Sequence, residues 1–177
     1  MKQLSIITAV AMLLLCAGQI SAADNLYAGI QLGSEFLTDS HDDVDDAVAF
    51  GIYGGYRLDR MVSLEANLTT ATHDIDGPGD AEISITSLLF GPRLTGQAGR
   101  SVNLYADAGL GIYYLDYEYS VYDDSDTEMG LYLGAGMEFP LQRGINMGLD
   151  FKYHVLFDDD LIDSDLVTLL VRVGFNL

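Results

Sequence analysis

A chain of 177 residues fits one domain, and its 27 Asp and Glu against eight Lys and Arg exclude nucleic acid as a partner, because phosphates would be repelled. Acidic chains poor in apolar residues stay disordered, but 49% of this one is apolar and it holds eleven tyrosines, so a folded core is expected. The single cysteine, Cys16, falls in a leader segment, so the rest of the chain has neither disulfides nor thiolate metal sites.

The leader comes first. Lys2 supplies a positive start, Ile6 to Ala17 is almost continuously apolar, and Ser21-Ala22-Ala23 offers the small residues that signal peptidase needs. The apolar run is too short to anchor in a bilayer, so residues 1–23 read as a cleaved export signal. Cleavage is placed after Ala23, with Ala22 the alternative. Acylation of Cys16 is disfavoured because Leu15 stands where a small residue is needed. Residues 24–177 are then the mature domain.

That domain alternates with period two in stretches of about ten residues, the pattern of membrane-spanning β-strands. Strand one, Leu26 to Phe36, sets Leu26, Ala28, Ile30 and Leu32 against Gly29, Gln31 and Gly33. Strand two, Ala47 to Leu58, sets Val48, Phe50, Ile52, Tyr56 and Leu58 against Ala49, Gly51, Tyr53, Gly55 and Arg57. In strand three, Val62 to Thr72, Val62, Leu64, Ala66 and Leu68 oppose Ser63, Glu65, Asn67 and Thr69. Strand four, Ile83 to Leu94, is untidy. Leu88, Phe90 and Leu94 share one parity while Ile83 and Ile85 take the other, which suggests a bulge or a parity error.

Strand five, Val102 to about Tyr117, alternates Leu104, Ala106, Ala108, Leu110 and Ile112 with Asn103, Tyr105, Asp107, Gly109 and Gly111. Strand six, Met129 to Phe139, alternates Leu131, Leu133, Ala135, Met137 and Phe139 with Gly130, Tyr132, Gly134, Gly136 and Glu138. Strand seven, Ile145 to Phe157, puts Met147, Leu149, Phe151, Tyr153 and Val155 opposite Asn146, Gly148, Asp150, Lys152 and His154. Strand eight, Leu166 to Leu177, puts Val167, Leu169, Val171, Val173, Phe175 and Leu177 opposite Thr168, Arg172, Gly174 and Asn176. The expected fold is all-β: an eight-stranded, antiparallel, up-and-down transmembrane barrel.

The connections alternate in length. Short ones (Asp59-Arg60, Thr95 to Ser101, Pro140 to Gly144) follow strands two, four and six. Longer ones, Leu37 to Asp46, His73 to Glu82, Tyr119 to Glu128 and Asp158 to Asp165, hold most of the carboxylates. Short turns at one end and long loops at the other are the plan of outer-membrane barrels, with turns in the periplasm and loops outside. Arg60, Arg100 and Arg143 fall one in each short turn, and Arg57, Arg93, Lys152 and Arg172 on inward strand positions, so no charge need face lipid along the strand centres.

With these residues in view, the chain resembles the small outer-membrane barrels of the OmpA, OmpX and opacity-protein kind. The resemblance rests on Gly55-Tyr56-Arg57 closing strand two, Leu64-Glu65 in strand three and Gly91-Pro92-Arg93-Leu94 ending strand four. The pairs Gly109/Gly111 and Gly134/Gly136 add to it. The last strand looks like the alternating C-terminal signal read by the barrel-assembly machinery, although it ends on Leu177 with Phe175 two positions earlier. The resemblance implies a Gram-negative outer-membrane location. No peptidoglycan-binding domain is expected after strand eight.

An eight-stranded bore is just wide enough for side chains to fill it. Inward Arg57, Arg93, Lys152 and Arg172 face inward Glu65, Asp107, Glu138 and Asp150, and buried charges need partners, so a structural ionic core is expected, with a gated polar path as the alternative. The inward glycines either leave room for water or let tyrosines pack across the bore. Outward Tyr56, Phe139 and Phe175 suit a periplasmic aromatic girdle, and Phe36, Tyr114, Tyr153 and Phe157 an outer one.

Asp158, Asp159, Asp160 and Asp163 are the densest acidic cluster and the candidate calcium ligands, but no loop has the glycine-punctuated spacing of an EF-hand. Loops that share divalent cations with anionic lipopolysaccharide are the broader expectation. Catalysis is not expected: no serine stands near His154, and His41 and His73 fall in loops. The reading is a cofactor-free monomer with a structural or surface-interaction role, outer-membrane lipid being its surroundings. A narrow channel for ions or small solutes is the alternative, and a soluble lipocalin-like barrel a weaker third, since it would point charges outward and crowd Leu, Ile and Val into the bore.

Overall fold

The computed structural model describes residues 25–38, 46–75, 81–99, 101–119, 122–141, 144–157 and 165–177. Residues 1–24, which include the expected leader, lie outside them, as do His41, Asp158, Asp159, Asp160, Asp163, Arg100 and Arg143. Eight antiparallel strands follow in chain order: β1 (Leu26–Leu37), β2 (Ala47–Arg57), β3 (Val62–Ile75), β4 (Ala81–Gln97), β5 (Asn103–Tyr119), β6 (Tyr122–Pro140), β7 (Ile145–Leu156) and β8 (Leu166–Asn176). Each pairs with its sequence neighbours, and β8 pairs with β1 to close the barrel.

Closure leaves no strand edge, which a sheet in lipid requires because hydrocarbon offers backbone groups no hydrogen bonds. The tilt follows from the register. Starting at Glu138, the paired positions run through Gly148, Arg172, Gln31, Gly51, Thr69, Ser87 and Tyr113 and return to β6 at Glu128, ten residues from the start. A stagger of this size tilts the strands steeply and sets a bore that side chains fill.

Outward positions carry the apolar set. Ile30, Phe50, Phe90, Leu110, Leu133 and Phe151 are among many large apolar side chains left exposed, an arrangement that makes sense only against lipid. Tyr56, Phe139 and Phe175 are exposed near the end that holds the short turns, while Tyr153 and Phe157 are exposed toward the other end. Strands β1, β2, β7 and β8 have 11 or 12 residues, about what a tilted strand needs to span a bilayer. Strands β3 to β6 run to 14, 17, 17 and 19 residues, and the surplus projects from the outer end.

The surplus corrects three expectations. The segment Tyr119 to Glu128 is not a long loop: β5 continues to Tyr119 and β6 starts at Tyr122. His73 is not a loop residue but lies within β3, fully buried. Strand β4 has no bulge, since one register with β3 runs without a break from Val62↔Leu94 to Ile75↔Ala81. Ile83 and Ile85 point inward and are buried, while Leu88, Phe90 and Leu94 point outward. Both groups keep strict parity. The apolar parity thus inverts along one regular strand, as it would where the outer surface passes from lipid to water.

The short turns are closed by backbone bonds, Leu58 N–H to Val62 C=O at 2.9 Å, Ala98 N–H to Val102 C=O at 2.8 Å and Leu141 N–H to Ile145 C=O at 2.8 Å. Gly99 (φ 95°) and Gly144 (φ 76°) take the left-handed conformation that two of these turns require. In the remaining turn, the Asp59 carboxylate accepts from Met61 N–H at 2.7 Å and Val62 N–H at 2.9 Å, which holds its pKa below the usual range.

Candidate functional site: the bore and its two ends

Seven of the eight inward charged residues singled out in the sequence are joined into one set of ion pairs. Glu65 on β3 sits between two guanidinium groups: Arg93 Nη1 lies 2.8 Å from Oε2, and Arg172 Nη2 lies 2.7 Å from Oε1. Arg93 Nη2 also reaches Glu138 Oε1 at 2.6 Å. On the far side Arg172 Nη1 lies 3.6 Å from Asp150 Oδ2, and Lys152 bridges Asp150 and Asp107, the latter at 3.4 Å. The chain Glu138–Arg93–Glu65–Arg172–Asp150–Lys152–Asp107 links β3, β4, β5, β6, β7 and β8. Arg57 stands apart. Its guanidinium covers the Tyr27 ring at 4.9 Å and donates to Asn176 Oδ1 at 2.7 Å, at the periplasmic mouth.

Tyrosines complete the layer, and sequence reading did not single them out as its members. Tyr27 Oη donates to Glu65 Oε2 at 2.8 Å, and Tyr105 Oη donates to Asp150 Oδ1 at 2.8 Å. Arg93 stacks on Tyr105 at 3.6 Å and Arg172 on Tyr53 at 3.5 Å. Each ring lies over a glycine: a Cβ built on Gly55 would overlap Tyr27, on Gly29 and Gly174 Tyr53, and on Gly136 Tyr105. The inward glycines therefore make room for rings. The register carries the signal that could have found this, since Tyr27↔Gly55, Tyr53↔Gly29 and Tyr105↔Gly136 are cross-strand neighbours.

Toward the outer end come further polar pairs, with buried Glu35 and Glu128 among them, interleaved with an apolar lid. Gln31 donates to Thr69 at 2.7 Å, and the His154 ring lies 2.9 Å from Tyr113 Oη and 3.3 Å from Thr168 Oγ1. His73 Nε2 lies 3.3 Å from Glu35 Oε1. Ile83, Ile85, Leu89, Leu115, Leu156 and Leu166, with Tyr113 and Tyr132, pack into one buried cluster, and Leu170 packs with Ala47, Ala49 and Ala71 in a second. At the periplasmic end the bore opens into a polar vestibule of about 370 Å³, bounded by Arg57, Arg60, Asn103, Asn146 and Asn176, with Arg93 and Glu138 also in its wall.

A closed barrel with a lipid-facing apolar exterior and a polar, ionic interior defines an integral outer-membrane β-barrel. Residues 7–176 match the family model described as outer membrane protein beta-barrel domain, and the chain belongs to that family. No curated protein matches the chain. Among solved structures, the fold is similar to Neisserial surface protein A (12% identity, TM-score 0.67, covering 86% of this chain and 96% of that one). It is also similar to Ail, the attachment invasion locus protein of Yersinia pestis (15%, 0.58, covering 85% and 95%). The N-terminal β-barrel domain of Pseudomonas aeruginosa OprF gives 15% and 0.53, covering 85% and 97%. At such identities the likeness concerns the fold.

Proposed function

We propose that the protein is a non-conducting, non-enzymatic outer-membrane barrel that presents an acidic surface to the cell exterior. One observation carries this reading: the bore is occupied in succession by a connected ionic layer and an apolar lid. Moving an ion through it would mean parting buried charge pairs and then prising apart a packed apolar cluster. Among the described residues, the histidines favour the non-enzymatic reading. His73 and His154 are both buried among fixed partners, away from the vestibule and the lipid face.

On this reading residues 1–23 direct export and are removed, the barrel-assembly machinery inserts the monomer, and the outer end meets lipopolysaccharide through shared divalent cations. Asp158, Asp159, Asp160 and Asp163 are the candidate calcium ligands. Ail has been solved with the heparin analogue sucrose octasulfate, a polyanion. The acidic excess here disfavours such a ligand and favours cations or a basic partner. The alternative, a narrow channel, is favoured only by the vestibule, which enters from the periplasmic side. Conductance of the refolded protein in a planar bilayer, in molar salt and at several voltages, separates the two. Silence or rare flickers is the expected result, and steady unitary steps would replace it with the channel.

A further inference from the structure

We infer that the periplasmic vestibule is a binding site for a small oxyanion, a carboxylate or phosphate group presented from the periplasm. The argument starts from how its charges are satisfied. Both carboxylates in its wall are engaged by the protein itself: Asp59 by the Met61 and Val62 amides, Glu138 by Arg93 at 2.6 Å. The cations are not matched in the same way. Among the described residues no carboxylate pairs with Arg57 or Arg60, and both line the vestibule.

A second observation comes from the wall. Arg93 is 2% exposed, and its buried Nε–H meets no acceptor although its two Nη groups do. Arg93 stands in the vestibule wall with Arg57 and Arg60, so its guanidinium adds to the positive field of the site. Asn103 and Asn146 add carboxamides that can donate to the same guest. Arg57 is already oriented by its stack on Tyr27 and its bond to Asn176, so little ordering is left for a ligand to impose. A volume near 370 Å³ lies at the lower end of the range for small-molecule sites, which suits an end group or small acid. The ionic layer above bars passage, so the site receives a ligand without transmitting it.

The test uses the folded protein in nanodiscs, labelled with ¹⁵N and titrated separately with succinate, inorganic phosphate and the neutral control succinamide. Saturable amide shifts confined to positions 57–63, 93–97 and 103, absent with succinamide, are expected. In the double variant R57Q/R60Q, its fold checked by its unheated gel mobility, the apparent Kd should rise about tenfold or more, the loss of roughly one charge-assisted contact or two. Response to succinate alone or to phosphate alone would assign the source as carboxylate or phosphate. Absence of saturation with both anions, or shifts unchanged in R57Q/R60Q, would overturn the site.

Discussion

Glu65 and Arg172 meet at 2.7 Å across the bore, joining β3 to β8, strands separated in the closed sheet by β1 and β2. Because the pair is wholly buried, its strength depends on complete pairing: removing one partner leaves a charge with no solvent to receive it. Glu65→Ala takes a carboxylate from both Arg93 and Arg172, leaving the first only Glu138 and the second only Asp150 at 3.6 Å, and should cost about 3–5 kcal/mol of unfolding free energy in lipid vesicles. The pair E65M/R172M should cost markedly less than the sum of the single changes. A double-variant loss equal to the sum of the two single losses, read from urea titration of the folded gel band, would show that the pair does not act as a unit.

The ring-over-glycine packing makes a second, local prediction. A Cβ at Gly174 would collide with the hydroxyl end of Tyr53, while its next nearest neighbour, the Ala28 carbonyl, stays at 3.6 Å. Gly174→Ala should therefore destabilise by about 1–3 kcal/mol through overpacking. Tyr53→Phe removes the atom in the way, so Y53F/G174A should recover most of that loss. A double variant no better than G174A alone would mean that backbone crowding, and not the ring, sets the cost.

Strand parity made most of the barrel legible, because lipid on one side and a packed bore on the other leave little freedom to β1, β2, β7 and β8. Sequence reading stopped short where the surroundings change along a strand. Ile83 and Ile85 break the pattern only if lipid covers all of β4, whereas the outward positions there are the polar Ser84 and Thr86, which bond to Thr72 at 2.9 Å and Thr70 at 3.1 Å. The Asp-rich run 123–126 read as loop because Asp and Ser disfavour strands, yet pairing with β5 continues through it. In the bore, the inward charges were identifiable from parity, but which of them touch depends on the ten-residue stagger. That stagger puts Arg57 at the mouth and away from the carboxylates.

Acid should act on the turn between β2 and β3. Two backbone N–H groups favour the charged form of Asp59, so its folded pKa lies below its unfolded one. The stabilisation it supplies is complete above the ordinary Asp value, about 3.9, and is lost as pH falls through the lower folded value. Asp59→Ala should lower the urea midpoint at pH 7, and the gap from the unsubstituted protein should close as the pH approaches the folded value. A gap that is constant across this range would assign the effect to turn geometry rather than to ionisation.

The level at which β4 leaves the membrane can be located with three substitutions. Phe90 and Ser84 point outward on the same strand, and Ile85 points inward beside Ser84. If lipid covers Phe90 and water covers Ser84, Phe90→Arg should cost about 2–4 kcal/mol, and Ser84→Arg no more than about 1 kcal/mol. Ile85→Arg should be as damaging as Phe90→Arg or worse, since it drives a charge into the apolar lid among Leu89, Leu115 and Leu166. Unfolding in vesicles of a single lipid measures all three on one scale. A large cost at Ser84 together with tolerance at Ile85 would mean that apolar parity does not invert along the strand, and that lipid reaches the top of the extended sheet.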